Sequence, residues 1–293
     1  MEERNEIYLS KLHDELIQIM NEIDRICKSH NINYYLIGGS LLGAIRHGGF
    51  IPWDDDLDIV MPREDLRKFK EVCKSELDPK FTFEDGELDV KYPYYFSKIT
   101  NNHTKFYEAE IEQWRRSGLF VDIFPLDSCK GISVYVKTQK WLIKTINNAI
   151  WAQLKKDTRL RRLPHRILAA IIGPKQLHKI MKKIATATDG KGNYYANFGS
   201  QYKIQKQTMP KEWFGEGTPI LFEGCMFIGP VEKIKVVESI FGKKYMQLPP
   251  EDKRRCHYPS YVLFSDNTEM YFSKPKNHVS FKEQEKEDDK NNQ

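Results

Sequence analysis

Apolar residues recur along this chain with two different periods, and the two periods predict a mixture of helices and strands. Over residues 6–29 apolar side chains recur every three or four positions, which predicts an amphipathic helix packed on a sheet. Short apolar runs at 34–37 and 118–127 predict buried strands. The same criteria predict helices over 64–77 and 231–241 and a hairpin or two short strands within 81–98. The expected fold class is therefore α/β (α+β).

A glycine-rich turn follows the first predicted strand. Gly38, Gly39 and Ser40 stand between the run 34–37 and a short helical segment at 41–45. A turn of this composition between a strand and a helix can bring bare backbone N–H groups and a hydroxyl up to a phosphate. These three residues are therefore candidate phosphate ligands.

Aspartates crowd the next segment, which ends in the alternating run Asp-Leu-Asp-Ile-Val at 56–60. On a strand, Asp56 and Asp58 point to one face while the apolar residues between them face the core. Two carboxylates on one half-buried face repel each other, and a divalent cation resolves that repulsion. Asp54 shares the face and is a candidate supporting partner. The alternative is a solvated acidic loop, but the upstream glycines and the apolar alternation favour a metal site.

Two more charged residues lie inside strand-like segments. Asp122 stands alone between Val121 and Ile123 in the mostly apolar run 118–127, and an isolated carboxylate in a buried strand is costly unless it is paired or bound to a cation. It is a candidate site residue, with a structural cap as the alternative. Asp127 is expected to start the next turn. Lys98 either faces the cleft and holds a phosphate or is a solvated surface lysine.

The glycine turn and the aspartates together resemble known families. A Gly-Gly-Ser turn followed by an Asp-x-Asp strand resembles nucleotidyltransferases of the polymerase-β type. The longer string LLGAIRHGGFIPWDDDLDI at 41–59 resembles the LicD family of phosphocholine transferases, which is related to the fukutin-type ribitol-phosphate transferases. The stretch 222–250 resembles the closing segment of LicD proteins. The resemblance covers residues 20–260 and implies a nucleotidyltransferase core with a mixed sheet.

The activity that this resemblance implies is phospho-alcohol transfer. The donor would be CDP-choline or a related CDP-alcohol, and phosphocholine would move to a sugar hydroxyl of a teichoic acid, lipopolysaccharide or capsule precursor, free or lipid-linked, with release of CMP. Transfer of another phospho-alcohol such as ribitol phosphate, and nucleotidyl transfer from an NTP, remain alternatives. A non-catalytic module that binds membrane or polyanions is least favoured, because it has no need of carboxylates in apolar strands.

The same chemistry assigns roles to the candidate residues. Asp56, Asp58 and Asp122 are expected to hold one or two Mg²⁺ (or Mn²⁺) ions at the donor phosphates, and all three are the expected catalytic residues. Asp122, or hydroxide on the metal, is the expected base for the acceptor hydroxyl. Arg46 is expected to clamp a second phosphate. His47 either assists or belongs to the turn.

Residues 131–184 differ from the rest of the chain in charge. Between residues 136 and 184 there are thirteen lysines and arginines and one acid, with apolar and aromatic residues interleaved at helical spacing. Gly173 and Pro174 separate two predicted helical pieces. The pattern suits an anionic membrane surface, a polyanionic acceptor, nucleic acid or simply a solvated basic face. We expect a membrane contact through 137–183 and no nucleic-acid partner.

Composition indicates the compartment of the protein and the division of the chain into parts. The 293 residues carry a formal net charge of +5, and five dispersed cysteines without a CxxC pair favour a reducing compartment. There is no apolar signal segment and no apolar run long enough to span a bilayer. We expect a cytoplasmic protein at the inner face of the plasma membrane. Its expected parts are a catalytic core at 1–130, the basic helical insertion 131–184, a segment completing the LicD domain at 185–275, and a disordered tail at 276–293.

Overall fold

Helices and strands alternate along the chain in the computed structural model, which describes residues 2–107, 118–155, 159–251, 254, 256 and 259–272. The helices are α1 (Glu2–His30), α2 (Gly38–His47), α3 (Arg63–Glu76), α4 (Val134–Leu154), α5 (Leu163–Ile172), α6 (Pro174–Ala185) and α7 (Lys233–Phe241). The strands are β1 (Tyr35–Leu36), β2 (Asp58–Pro62), β3 (Phe81–Glu84), β4 (Ser97–Asn101), β5 (Lys105–Tyr107), β6 (Phe120–Cys129), β7 (Tyr194–Ala196), β8 (Thr208–Pro210), β9 (Thr218–Phe222), β10 (Cys225–Gly229), β11 (Tyr261–Leu263) and β12 (Glu269–Tyr271).

The main sheet is mixed, with the strand order β1-β2-β6-β4-β3. Strands β2 and β6 are parallel, whereas β1, β3 and β4 pair with their neighbours in the antiparallel sense. The C-terminal end of β6 pairs with β7, which pairs in turn with β8, and both pairings are antiparallel. Smaller sheets are formed by β9 with β10 and by β5, β11 and β12. The α/β class and the mixed sheet are therefore confirmed.

Helix α1 buries its apolar stripe in the core of this sheet. Leu16, Ile19 and Ile23 are at most 1% exposed and belong to the same apolar cluster as Ile59 and Ile123 of the two parallel strands. Burying a side chain of this size stabilises the fold by about 1.5–3 kcal/mol. Helix α1 also contacts α3, so one face of the sheet is covered by helices. The opposite face of β2 and β6 is left for the charged residues of the candidate site.

A buried ion pair joins α3 to β6. Arg63 donates to both carboxylate oxygens of Asp127, at 2.8 and 3.0 Å, and Tyr95 donates to Asp127 Oδ2 at 2.8 Å. Asp127 is fully buried. The prediction that Asp127 starts a turn is wrong, because the strand continues to Cys129 and the aspartate faces the opposite side of β6 from Asp122.

The basic insertion has an apolar cluster of its own. Helices α4, α5 and α6 contact one another, and Ile143, Ile150, Leu177 and Met181 are buried between them. Gly173 has a φ of +79° and separates α5 from α6, as the sequence predicts. The sequence predicts two helical pieces in this insertion, whereas the structure has three helices. The piece before Gly173 is divided, because α4 ends at Leu154 and α5 begins only at Leu163.

Other element boundaries need correction. The segment 56–60 was predicted as a strand, but β2 begins at Asp58, so Asp56 lies in the preceding loop. Helix α2 begins at Gly38, and the predicted turn 38–40 is therefore its first turn. The predicted tail 276–293 lies outside the described residues. Within the described part of the chain, no helix combines the length and apolar character needed to cross a membrane.

Candidate active site

Asp58 and Asp122 are in-register partners on two parallel strands. Asp58 opens β2 and pairs with Asp122 of β6. Lys98 of β4 is the register partner of Asp122 on its other side, and its Nζ lies 3.3 Å from Asp122 Oδ1. Register partners project from the same face of a sheet, so the three charged side chains form one row. Sheet pairing therefore assembles this site from three separate segments of the chain.

The first turn of α2 lies against the start of β2. Ser40 is buried, and its Oγ accepts a hydrogen bond from the Asp58 N–H at 2.8 Å. Gly38 has a φ of +59°, and a Cβ there would lie 3.3 Å from Asp58 Oδ2. Both the backbone conformation and the nearby carboxylate favour glycine at this position. The predicted phosphate turn is thus placed beside Asp58, with the Ser40 oxygen engaged in holding the strand.

The loop before β2 brings three more carboxylates to the same place. Carboxylate oxygens of Asp54, Asp55 and Asp56 lie within 4.8 Å of one another. A Cβ on Gly39 would lie only 2.4 Å from Asp54 Oδ2, so this loop packs directly on the first turn of α2. Asp56, which was predicted to share a strand with Asp58, is grouped instead with its two predecessors in an adjoining loop.

Residues from distant segments hold this acidic loop in place. His13 Nε2 donates to Asp54 O at 2.8 Å, and the imidazole stacks on Phe50 with ring centroids 3.8 Å apart. Glu223 Oε1 accepts a hydrogen bond from the Phe50 N–H at 2.9 Å, and a Cβ on Gly49 would lie 2.0 Å from that oxygen. Gly49 therefore makes room for Glu223. Sequence reasoning missed both supports, because nothing in α1 or the β9–β10 turn marks them locally.

Burial, together with like charge, sets the electrostatics of the site. Burial raises the pKa of the Asp58 carboxyl well above its usual range, and the carboxylates of Asp56, Asp122 and Asp54 raise it further. Lys98 acts in the opposite direction but is the smallest of these influences. Carboxylates that are gathered closely enough to suppress ionisation fit a divalent cation, which prefers several oxygen ligands and restores the ionised state. The residues present therefore fit the expected metal.

A cleft opens over Asp58 between the sheet and a segment from the C-terminal half. It has a volume of about 60 Å³ and is lined by Gly38, Asp58, Phe124, Asn197 and Tyr202, among others. Burial raises the pKa of Tyr202, and the carboxylates of Asp58, Asp54 and Asp56 raise it further, so the phenol faces the acidic cluster. No local pattern in the sequence marks Asn197 or Tyr202 as site residues.

The basic insertion supports this cleft directly. Lys140 of α4 donates to Phe198 O at 2.7 Å and to Ser200 O. Asn197 Oδ1 accepts from the N–H groups of Gly199 and Ser200, both at 3.0 Å, and closes the turn. Desolvation lowers the pKa of Lys140 to about 8. The insertion therefore fixes one wall of the candidate site.

Aromatic rings surround the ammonium of Lys98. Its Nζ lies 4.6 Å from the ring centroid of Tyr94, 5.8 Å from that of Phe96 and 3.0 Å from that of Phe120. We call these three rings the aromatic box. Lys98 is 4% exposed, so the alternative of a solvated surface lysine is wrong. Phe124, which lines the cleft, packs on Phe96 with centroids 4.4 Å apart.

Arg46 and His47 lie at the other end of α2 from the carboxylates. Eight residues of helix separate Gly38 from Arg46, which corresponds to about 12 Å. Arg46 Nη1 donates to Tyr245 O at 2.9 Å, and the His47 side chain is exposed. The structure thus brings together Gly38, Gly39, Ser40 and the charged row, whereas it places Arg46 and His47 apart from them.

Comparison with known proteins relates the domain that carries this site to a protein family. Residues 31–156 match the family model described as LicD/FKTN/FKRP, nucleotidyltransferase domain. Over 259 residues the chain is 28% identical to the lipopolysaccharide cholinephosphotransferase LicD of Haemophilus influenzae, a match covering 84% of this chain and 95% of that protein. It is 41% identical over 51 residues to the human ribitol 5-phosphate transferase FKRP, covering 17% of this chain and 10% of that protein.

A shorter match is found with an uncharacterized protein of Rickettsia typhi, which is 44% identical over 57 residues, 20% of this chain and 18% of that protein. The matched domain contains Asp58, Lys98 and Asp122 and therefore the whole charged row. Residues 31–156 therefore form a domain of the LicD/FKTN/FKRP family.

Proposed function

We propose that this LicD-family phosphotransferase moves phosphocholine from CDP-choline to a sugar hydroxyl of a cell-surface glycan precursor and releases CMP. The in-register pairing of Asp58 with Asp122 beside the first turn of α2 is the observation that carries this proposal. The choice of choline comes from the cholinephosphotransferase that matches 84% of this chain. The parallel strands β2 and β6 then form the centre of a polymerase-β-type nucleotidyltransferase core.

The proposed cofactor is Mg²⁺ or Mn²⁺. Asp58 and Asp122 would hold it, with Asp56 contributing from the adjoining loop. When bound, a divalent cation neutralises the charge that develops on the donor phosphates. Ligation would also offset the burial and the carboxylate repulsion that raise the pKa of Asp58.

The protein's own groups provide positioning and proton transfer. The backbone N–H groups of Gly38 and Gly39 would bind a donor phosphate at the N-terminus of α2. Asp122 accepts the proton of the sugar hydroxyl. The sugar oxygen forms a bond to phosphorus as the bond from phosphorus to the CMP oxygen breaks. Lys98 lies beside Asp122 and can bind the transferred phosphoryl group. Asn197 and Tyr202 line the open side of the cleft, where an acceptor sugar would enter.

In this account the catalytic unit comprises residues 1–130 together with 185–275, and the insertion 131–184 has a second task at an anionic membrane surface. Leu163, Ile167 and Ile171 recur on one face of α5 and are 43%, 50% and 78% exposed. Arginines flank this apolar stripe on the same segment. An exposed apolar stripe with basic neighbours has the chemistry of an interfacial helix, which would hold the enzyme near a lipid-linked acceptor.

Vesicle binding tests the membrane contact. Full-length protein should sediment with phosphatidylglycerol vesicles and less with phosphatidylcholine vesicles. The double substitution Ile167→Ser and Ile171→Ser should weaken binding to the anionic vesicles by about 100-fold or more, because about 1.5–3 kcal/mol of apolar burial is lost per side chain at full insertion. Leu221→Ser, at a comparably exposed position on β9, is the matched control. Equal binding of all three proteins would refute the contact.

Product analysis tests the reaction. Purified protein is incubated with CDP-choline, CDP-ribitol or an NTP, with Mg²⁺ or with EDTA, in the presence of glycan acceptors. We expect CMP from CDP-choline, dependent on the divalent ion. Release of CMP from CDP-ribitol alone would show that ribitol phosphate, and not phosphocholine, is the transferred group, which is the alternative that the human relative suggests. Pyrophosphate from an NTP without CMP from any CDP-alcohol would overturn the proposal in favour of nucleotidyl transfer.

A further inference from the structure

We propose that the aromatic box of Tyr94, Phe96 and Phe120 is the subsite for a quaternary ammonium group of the substrate. The box then determines specificity for a cationic alcohol over neutral ones. This inference rests on the proposed function, because it assigns the part of the donor that the carboxylates do not bind.

The box already holds a cation in this structure. The Lys98 ammonium lies within 6 Å of the centroids of all three rings, and the side chain is almost entirely buried. Aromatic faces attract cations through the ring quadrupole, and the attraction grows when water is excluded. The rings therefore stabilise the alkylammonium headgroup of Lys98. The same rings have the electrostatic potential that would stabilise the alkylammonium group of a ligand.

The box adjoins the carboxylates proposed to handle the phosphate. The same Lys98 Nζ lies 3.3 Å from Asp122 Oδ1. Phe124 extends the aromatic surface from Phe96 into the cleft above Asp58. In phosphocholine only a short ethylene spacer separates the phosphate from the nitrogen. A phosphoryl group beside Asp58 and Asp122 would therefore place the trimethylammonium at the box.

Access to the box requires Lys98 to move. A trimethylammonium is larger than a primary ammonium and donates no hydrogen bonds, so it can replace the Lys98 headgroup against the rings but not in its contact with Asp122. Lys98 has a flexible stem and three donors, which suit it to turn from the rings to the incoming phosphoryl oxygens. The rings of Tyr94, Phe96 and Phe120 are each only partly buried, whereas Lys98 is buried between them, so a ligand could enter past the rings once Lys98 turns away.

The insertion contributes to this subsite. Trp151 of α4 meets Tyr94 edge to face, with ring centroids 5.5 Å apart and an angle of 81° between the planes. Tyr94 packs in turn on Phe96 at 4.9 Å. The same helix that holds the cleft wall through Lys140 therefore also backs the aromatic box.

A pair of isosteric donors tests the box. CDP-choline is compared with the CDP ester of 3,3-dimethylbutanol, in which a carbon replaces the nitrogen and the charge is lost. Wild type should show a kcat/KM for CDP-choline about 3- to 30-fold higher than for the neutral ester. Tyr94→Leu and Phe96→Leu should remove most of that preference by raising KM for CDP-choline alone. Tyr271→Leu, an exposed tyrosine of β12, should leave the ratio unchanged.

Direct binding gives a readout that does not depend on turnover. Tetramethylammonium, measured by calorimetry, should bind wild type weakly, Lys98→Ala more tightly and Tyr94→Leu not at all. Two results would overturn the proposed subsite. One is an equal fall in kcat/KM for CDP-choline and for the neutral ester in the ring variants. The other is that tetramethylammonium binds neither wild type nor Lys98→Ala. If CMP is released from CDP-choline while these tests fail, the box is wrong and the proposed function stands. If no CDP-alcohol is turned over but tetramethylammonium binds as expected, the box stands as a cation site and the transferase proposal fails.

Discussion

Gly39 approaches Asp54 so closely that a single methyl group would overlap the carboxylate: a Cβ at position 39 would lie 2.4 Å from Asp54 Oδ2. This contact joins the first turn of α2 to the acidic loop. The spacing of the glycine turn and the aspartates in the sequence therefore reflects a physical contact between them. It also explains why the turn has glycine where a helix would otherwise favour alanine.

Gly39→Ala should consequently reverse the usual effect of alanine in a helix. Propensity alone predicts stabilisation by up to about 1 kcal/mol. We expect instead a loss of about 1–3 kcal/mol in the free energy of unfolding, because the added carbon displaces Asp54 and the loop. Urea unfolding of wild type and variant measures the difference.

The matched control removes the opposing side chain. In an Asp54→Ala background the steric conflict is absent, so Gly39→Ala should become neutral or stabilising. Destabilisation of equal size in both backgrounds would show that the contact with Asp54 is not the cause.

The buried pair of Arg63 and Asp127 should be costly to break and inexpensive to replace. Asp127→Ala leaves the Arg63 guanidinium buried without its carboxylate and should lower the free energy of unfolding by about 3–5 kcal/mol. The double variant Arg63→Met, Asp127→Leu should recover most of that loss. Thermal or urea unfolding of the single and double variants provides the measurement. A double variant no more stable than Asp127→Ala would contradict this account of the pair.

His178 should make stability depend on pH below neutrality. Desolvation lowers the pKa of this buried imidazole below 6.5, so as pH falls through 6.5 the unfolded chain takes up a proton that the folded chain resists. Stability is therefore lost on acidification, with a slope of at most about 1.4 kcal/mol per pH unit from this group.

His178→Leu should reduce that slope between pH 6.5 and 5. The pKa of His13 is lowered as well, so the variant should keep part of the wild-type dependence. Unfolding midpoints in urea at several pH values give both slopes. Identical slopes for wild type and variant would exclude His178 as a contributor.

Periodicity in the sequence was enough to predict the elements that carry the site. The amphipathic pattern of 6–29 corresponds to α1, and Asp122 lies on a strand next to Asp58. Both predictions rest on local burial patterns, which a single sequence displays directly. The class of the fold followed from the same patterns.

The predictions that failed depended on contacts between distant segments. Asp56 has the spacing of a strand residue, but the chain enters β2 only at Asp58, because pairing with β6 begins there and pairing with β1 begins at Ile59. His13, Glu223 and Tyr202 reach the site from elements whose sequence carries no local signal of it. Tertiary pairing decides such positions, and one sequence does not display it.

The most direct test of the central claim is CMP release from CDP-choline by Asp58→Asn and Asp122→Asn. Both changes keep side-chain size. Asp58→Asn relieves a repulsive cluster, so its unfolding should show stability equal to or above wild type. Asp122→Asn also removes the carboxylate partner of the buried Lys98 ammonium, so it should be somewhat less stable than wild type but still folded. Asp266→Asn, at an exposed turn, is the control. We predict a fall of about 10³-fold in kcat for both site variants and none for the control. Folded variants that retain wild-type turnover would contradict the assignment of this carboxylate pair as the catalytic centre.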